Sequence, residues 1–460
     1  MKENNSIFVV DKEATLDINE LFFSITDKES RILSGNDVFV RISGYTKSEL
    51  VGSFHNIIRH PDMPKVIFKT LWDYLKADKP IVAYVKNRTK EGGYYWVLAA
   101  VFALNDRYVS IRLKPSTKIF TAVKELYTKL LMDESHEGVE GSAVMLSALL
   151  RDLGYKNYDH FMGDALLQEL QGHKGLHSQT SLKEGVLESS SPLLLHLKLA
   201  YGYTQTLMSE YNHWFEKINL FTQTKSMFEE KSLLLREVAR EIVFLSLNAS
   251  VSSYKIARGG ETFSVLARDI RTNAKENDSL IGQIDIITHN LSDSLNGIIF
   301  SVSGIRLQTE MLTYFIAEQL SENGTVHTEG ISNSMEILFT LIAEYSGKLN
   351  TLQIQIEQQL YETLKYLDQL EQQMMYLGYI QVYGIIEAAG YRNETVSFEG
   401  IFSQLKVLIQ TTSGEITSMR KMTEHFCVDN RHLINNSVVT DNIVAQLGMV
   451  IMDIKKLENS

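Results

Sequence analysis

The chain has 460 residues, a formal net charge of −11 and a pI near 5.6, with 44% hydrophobic and 22% charged residues. That length holds two or three domains with cores of their own, and the acidic balance argues against nucleic acid or an anionic membrane as the main partner. The lone Cys427 excludes an intrachain disulfide framework and fits a reducing cytosol. Met1–Glu20 is polar and lacks a signal-peptide core, and no apolar run approaches the ~20 residues that span a bilayer, so the sequence reads as cytoplasmic without a membrane span.

After a flexible N-terminus (1–19), residues 20–118 read as a small α+β domain. Phe22–Asp27 and Arg31–Ser34 flank a polar turn, as a hairpin does. Asn36–Gly44 reads as a short helix ending at glycine, and Pro64–Lys76 as a second, with Pro64 at its start and Val66, Ile67, Leu71 and Leu75 on one face. Three strand-like runs follow, Ile81–Val85, Tyr94–Leu104 and Tyr108–Leu113, punctuated by Gly92-Gly93 and Asn105-Asp106. Between the two helices, His55-Asn56-Ile57-Ile58-Arg59-His60-Pro61-Asp62-Met63-Pro64 sets two histidines, an arginine and an aspartate against two prolines. Proline fixes φ and biases its predecessor away from helix, so this is a rigid polar turn suited to holding a ligand.

This turn, and the ungapped run around it, resembles the ligand-binding signature of PAS domains in bacterial aerotaxis receptors, which bind FAD. The resemblance implies that Arg59, His60 and Asp62 contact the phosphate or ribose side of FAD, that Asn36 and Asn87 supply polar contacts, and that Phe68 and Trp72 line the cavity. The family places a tryptophan near the flavin after a proline where this chain has Pro80-Ile81, which removes aromatic stacking worth about 0.5–1.5 kcal/mol. Read from the residues alone, Asp62 equally caps the helix that starts near Pro64.

Residues 119–204 read as a helical connector: Phe120–Met132 as one helix, matching the helix that leaves the PAS core in aerotaxis receptors, then Val144–Leu170 as two short helices around a glycine turn, then a polar loop over Gly172–Ser191. No proline follows Pro192, which suggests long uninterrupted helices, since interior proline costs about 3 kcal/mol. A 4-3 spaced apolar seam runs from Leu207 through Trp214, Phe221, Phe228 and Leu235 to Ser246, and a second from Leu349 to Leu377. Asn248–Phe263 and Tyr383–Phe398 form an internal repeat 135 positions apart, each ending one helix and starting another. The tail therefore reads as two helical hairpins, 205–325 and 326–460, with arms of roughly 55 residues, about 80 Å at 1.5 Å per residue.

Both tips resemble the signalling hairpin of methyl-accepting chemotaxis receptors, which binds a histidine kinase and its adaptor. The first copy keeps Leu247, Asn248, Ala249, Phe263, Val265, Ala267 and Arg271, but Arg258-Gly259-Gly260-Glu261 exchanges the signs of the family's tip charges. The second keeps Ile386-Glu387-Ala388-Ala389 and Phe398 and has neither tip charge. One chain with two hairpins of matched length has the parts for a four-helix bundle as a monomeric pseudo-dimer; the plain alternative is a homodimer.

His55 and His60 without a third nearby ligand do not make a metal centre. No phosphate loop or nucleophile elbow occurs, so no catalytic residue is assigned. The expected molecule is a PAS domain followed by a long antiparallel four-helix bundle: a non-enzymatic, FAD-type redox, oxygen or energy sensor that signals to a protein partner through the bundle. A ligand-free PAS scaffold that docks a partner is the alternative.

Overall fold

A computed structural model of the chain describes residues 9–173, 191–254, 260–321, 330–390 and 396–459. The apolar runs form a five-stranded antiparallel sheet, β1 (Leu21–Asp27), β2 (Ile32–Gly35), β3 (Ile81–Arg88), β4 (Tyr94–Leu104) and β5 (Arg107–Leu113), in the order β2-β1-β5-β4-β3. Between β2 and β3 lie α1 (Asp37–Ser43), α2 (Lys47–Leu50), a 3₁₀ turn (His55–Ile58) and α3 (Lys65–Lys76). Gly44 ends α1 at φ 74°, a left-handed conformation that glycine adopts without strain.

Successive side chains on a strand point to opposite faces, and in this sheet both faces are buried. Ser24 and Thr26 of β1, Val85 and Asn87 of β3, Ala99 and Val101 of β4, and Ser110 and Arg112 of β5 turn to one side, where they line a cavity. Their neighbours turn to the other. Phe23 meets Phe315 edge-on with ring centroids 5.2 Å apart, and Phe102 meets Tyr345 at the same distance.

The connector folds back onto this domain. Helix α4 (Lys118–Asp152) is broken at Gly138 (φ 73°, ψ −172°), and Ser142 Oγ donates to Leu130 O across the break. Helix α5 (Tyr158–Gly172) packs on β3, where Tyr158 Oη donates to Val82 O. Glu169 of α5 is fully buried and fully satisfied: it accepts from Tyr84 Oη (3.0 Å), the Ser116 N–H (2.7 Å) and the Thr117 hydroxyl (2.7 Å), which anchors the start of α4. Most of the expected polar loop, residues 174–190, lies outside the described residues.

Among the described residues five more helices form the tail: α6 (Pro192–Glu216), α7 (Ile218–Ser253), α8 (Gly260–Ser321), α9 (Ile331–Gly390) and α10 (Val396–Glu458). They contribute to two compact units. The first gathers the chain up to Glu216 with Ile299–Leu349 and the stretch from Val438; the second comprises Lys217–Ile298 and Asn350–Ser437. α8, α9 and α10 have 62, 60 and 63 residues, somewhat longer than the arms expected from the seams. The helix of the first arm starts at Pro192 and is interrupted at Lys217.

In the first unit, the α8 stretch that meets the sheet is buried almost all round and carries Arg306 and Glu310 inside. Burial pushes the Glu310 carboxyl up to about 7 against the pull of Arg306, whose guanidinium lies 4.1 Å from the Phe215 ring centroid.

In the second unit one chain supplies four helices that pack in a closed ring. Ser232 Oγ of α7 donates to Asp285 of α8 (2.9 Å), Asn273 of α8 bonds Gln373 of α9, Asn430 Nδ2 of α9's neighbour α10 donates to Gln353 O of α9 (3.1 Å), and Lys231 of α7 pairs with Glu415 of α10 (2.7 Å). The repeat shows in the packing: Phe263 and Phe398, equivalent residues of the two copies, are both buried, with centroids 4.6 Å apart. Size is exchanged between copies nearby. Gly384 faces Phe402 where the first copy has Ala249 and Ala267, and a Cβ added at 384 runs into the Phe402 ring. Gly384→Ala is therefore expected to destabilise the protein: about 1 kcal/mol of helix propensity is gained, but overpacking costs typically about 1–3 kcal/mol. Gly378→Ala, on the same helix with open space around it, is expected to stabilise. Chemical unfolding of the two variants checks the pair, and equal effects would contradict this packing.

Candidate functional site

The cavity on the pocket face of the sheet has a volume of about 320 Å³, within the range of small-molecule pockets. α3 closes one side, with Phe68, Leu71, Trp72 and Leu75 lining it at helical spacing, and the 3₁₀ turn brings His55 and Asn56 to another. Trp72 meets Tyr108 of β5 edge-on at 5.8 Å. Arg59 forms an isolated bridge to Asn87 of β3 and lays its guanidinium 4.0 Å from the centroid of Phe68.

Arg112 dominates the electrostatics. It is 5% exposed; one Nη donates to Ser24 Oγ (2.8 Å) and the other lies 2.9 Å from His55 Nε2, and it makes no ion pair among the described residues. Burial lowers its pKa to about 10, so it stays cationic. His55 is stacked on Phe39; desolvation, then the Arg112 charge, holds its imidazole down at about 3, so it is neutral and accepts from Arg112. Nearby, Ser110 Oγ is buried without a hydrogen-bond partner, and Asn87 Nδ2 and Tyr95 Oη, on directly opposed residues of β3 and β4, have none but each other. A buried unsatisfied polar group costs about 1–3 kcal/mol, and Asn87 and Ser110 both line the cavity. The site thus offers a cation and spare donors to an acceptor-rich, flat ligand between aromatic walls.

Of the residues assigned from the sequence, Arg59, Phe68, Trp72 and Asn87 come together around this cavity, and Asn36, His60 and Asp62 do not line it. Both ends of the Asn36 amide are committed to β1, accepting from Phe23 N (3.2 Å) and donating to Leu21 O (3.2 Å), so it straps α1 to the sheet. His60 is 1% exposed; its Nδ1 accepts from the Asp62 N–H, while Asp62 pairs with Lys86 at 2.7 Å. Together they stiffen the turn that carries Arg59. Ile81, at the position of the family's tryptophan, is fully buried opposite Val101. His55, weighed in the sequence only as a metal ligand, and Arg112, Ser24, Ser110, Asn56 and Tyr108 are lining residues that sequence reasoning missed. The period of β5 carries the signal for two of them, since Ser110 and Arg112 alternate with Val109 and Ile111.

At the helical tips, Asn248 and Glu261 are exposed on α7 and α8, Gly260 begins α8, Phe263 and Phe398 are in the core, and Glu387 is half-buried beside Tyr383. Arg258 and Gly259 lie outside the described residues.

A family model described as the PAS fold matches residues 32–111. The aerotaxis receptor of Escherichia coli (strain K12) is 41% identical over 128 residues, 27% of this chain and 25% of that receptor, so the chain matches a quarter of that relative's length. Among solved structures, a light-oxygen-voltage domain studied with a flavin analogue is 20% identical, covering 23% of this chain and 85% of that chain with a TM-score of 0.22. The LOV domain of the Erythrobacter litoralis EL346 blue-light activated histidine kinase is 16% identical, covering 21% and 97% with a TM-score of 0.20. The N-terminal part of the chain is an aerotaxis-receptor-like PAS domain, a sensory module of signal transduction, and it is followed by a long helical bundle.

The depressed His55 fixes the sign of one pH effect. The unfolded chain takes up a proton at this residue near 6.5 and the folded chain only near 3, so His55 withdraws stability as pH falls through that window. Urea midpoints measured at pH 7 and pH 5 should fall more for the wild type than for His55→Gln; parallel losses would show that His55 is protonated in the fold.

Proposed function

We propose that this protein is a flavin-dependent sensor, with FAD held in the PAS cavity and the helical bundle as output. The observation that carries this reading is Arg112, a buried cation without an anionic partner among the described residues, which faces a cavity with an orphaned hydroxyl at Ser110 and a spare amide N–H at Asn87. An isolated buried charge is tolerated where a ligand satisfies it. A flavin ring presents carbonyl oxygens and ring nitrogens along one edge, which fits that donor set; Trp72, Phe68 and Tyr108 supply its flat walls, and Arg59 supplies charge for the phosphates. The family relationship supports the same ligand, and the neutral His55 holds Arg112 in place.

A bound flavin would supply a group whose charge and hydrogen-bonding change with the redox state of its surroundings. The residues that feel such a change sit on β1, β3, β4 and β5, and the strand neighbours Phe23 of β1, Tyr84 of β3 and Phe102 of β4 touch helices on the opposite face. A small shift of the strands thereby biases the packing of those helices, a population shift between two arrangements. We read the protein as cytoplasmic and non-catalytic, acting on a protein partner through the bundle, with the inverted or absent tip charges favouring a partner other than the usual chemotaxis kinase and adaptor. Among the described residues one stretch of α10 is apolar and long enough to cross a membrane, with 44% of it buried in the protein.

Purified protein should be yellow with a flavin spectrum, the released cofactor should be FAD, and Arg112→Ala should lower affinity tenfold or more, the loss that corresponds to about 1.4 kcal/mol. Asp62→Ala, which reaches the cavity only through the turn, should lose less. Colourless wild-type protein that ignores added FAD overturns the flavin reading in favour of a scaffold that docks its partner without a ligand.

A further inference from the structure

Helix α3 forms a wall of the cavity, yet its first turn has no cap of its own. Pro64 stands at the N-cap position and has no side-chain oxygen to offer the free N–H groups. A residue from far along the chain takes that role. Glu134 of α4 accepts from the Lys65 N–H (3.0 Å) through one carboxylate oxygen and from the Val66 N–H (2.7 Å) through the other. A carboxylate at a helix N-terminus also meets the positive end of the helix dipole. The next turn of α3 carries Phe68, which lines the cavity and stacks under Arg59. Burial lowers the Arg59 pKa, and the charge of Glu134 is what opposes that shift. Glu134 lies four residues before the break at Gly138, at the far end of the first half of α4, whose start is anchored by Glu169.

We propose that Glu134 is a positioning residue of the ligand site: its carboxylate fixes the first turn of α3 and the charge of Arg59 together, and so couples ligand binding in the cavity to docking of the first half of α4. The inference rests on the flavin reading for the identity of the ligand. Its physical content is a linkage. If docked Glu134 raises the affinity of the cavity, ligand in the cavity must tighten the docking of α4 by the same factor. Glu134→Gln keeps the size of the side chain and removes the charge and one acceptor oxygen, leaving one of the two N–H groups without its partner.

The experiment uses the full-length protein, wild type, Glu134→Gln and Glu134→Asp, with FAD as the probe and amide hydrogen exchange as a second readout. FAD should bind Glu134→Gln at least about fivefold more weakly, the lower end of typical coupling between sites. Exchange at residues 65–68 should be faster in Glu134→Gln without ligand, and FAD should slow exchange over 118–137 in the wild type and not in the variant. Glu134→Asp, which keeps the charge with a shorter reach, should fall between the two. Unchanged affinity in Glu134→Gln, or equal protection of 118–137 by FAD in both proteins, overturns the proposal. If the wild type binds no FAD the flavin reading falls by itself, and the ligand-free exchange at 65–68 then decides whether Glu134 holds α3: no difference there removes the proposal as well.

Discussion

The structure of the N-terminal domain depends on a sheet with no wet face. Antiparallel sheets commonly show water one side and a core the other, and an outward face of that kind leaves a sensor's strands free to change without consequence. Here every strand that lines the cavity is covered behind, by α8 and α9 at Phe23 and Phe102 and by α4 and α5 at Tyr84. Close-packed interiors transmit displacement because they have few voids to absorb it. Ser24, which holds Arg112, and Phe23, which touches α8, are separated by one peptide unit along β1.

The same constraint explains what was legible in the sequence. Buried on both faces, β1 and β4 read as nearly continuous apolar runs, and their limits fell within a residue or two of the expected ones. Helices α1 and α3 were marked by Gly44 and Pro64, whose backbone preferences act locally. The bundle was legible because its seam is periodic: of the first seam, Leu207, Tyr211, Trp214, Ile218, Phe221, Phe228 and Leu235 are all buried, and the polar interruption Lys225 reaches Asn296 at 2.9 Å.

Tertiary placement was not legible. Asn36 and His60 carry the right chemistry for a ligand, but both ends of the Asn36 amide and the Nδ1 of His60 are taken by the backbone around them, a fact that depends on where β1 and the turn at Asp62 lie in space. Arg112 sits in a strand whose composition suggests an ordinary edge-to-core alternation, and only the convergence of Ser24, thirty-one residues from His55, turns it into a site. The connector misleads in the same way. Its residues spell two or three amphipathic helices, and nothing in their spacing says that Glu134 and Glu169 reach back to cap the start of α3 and the start of α4.

The tethering of the two hairpins has a consequence for how such a bundle evolves. In a symmetric pair of identical chains, a substitution appears twice and must suit both places at once. In this chain the two copies of the repeat are free to diverge, and Gly384 with Phe402 against Ala249 with Ala267 shows that they have, one trading bulk across a helix contact while the other has not.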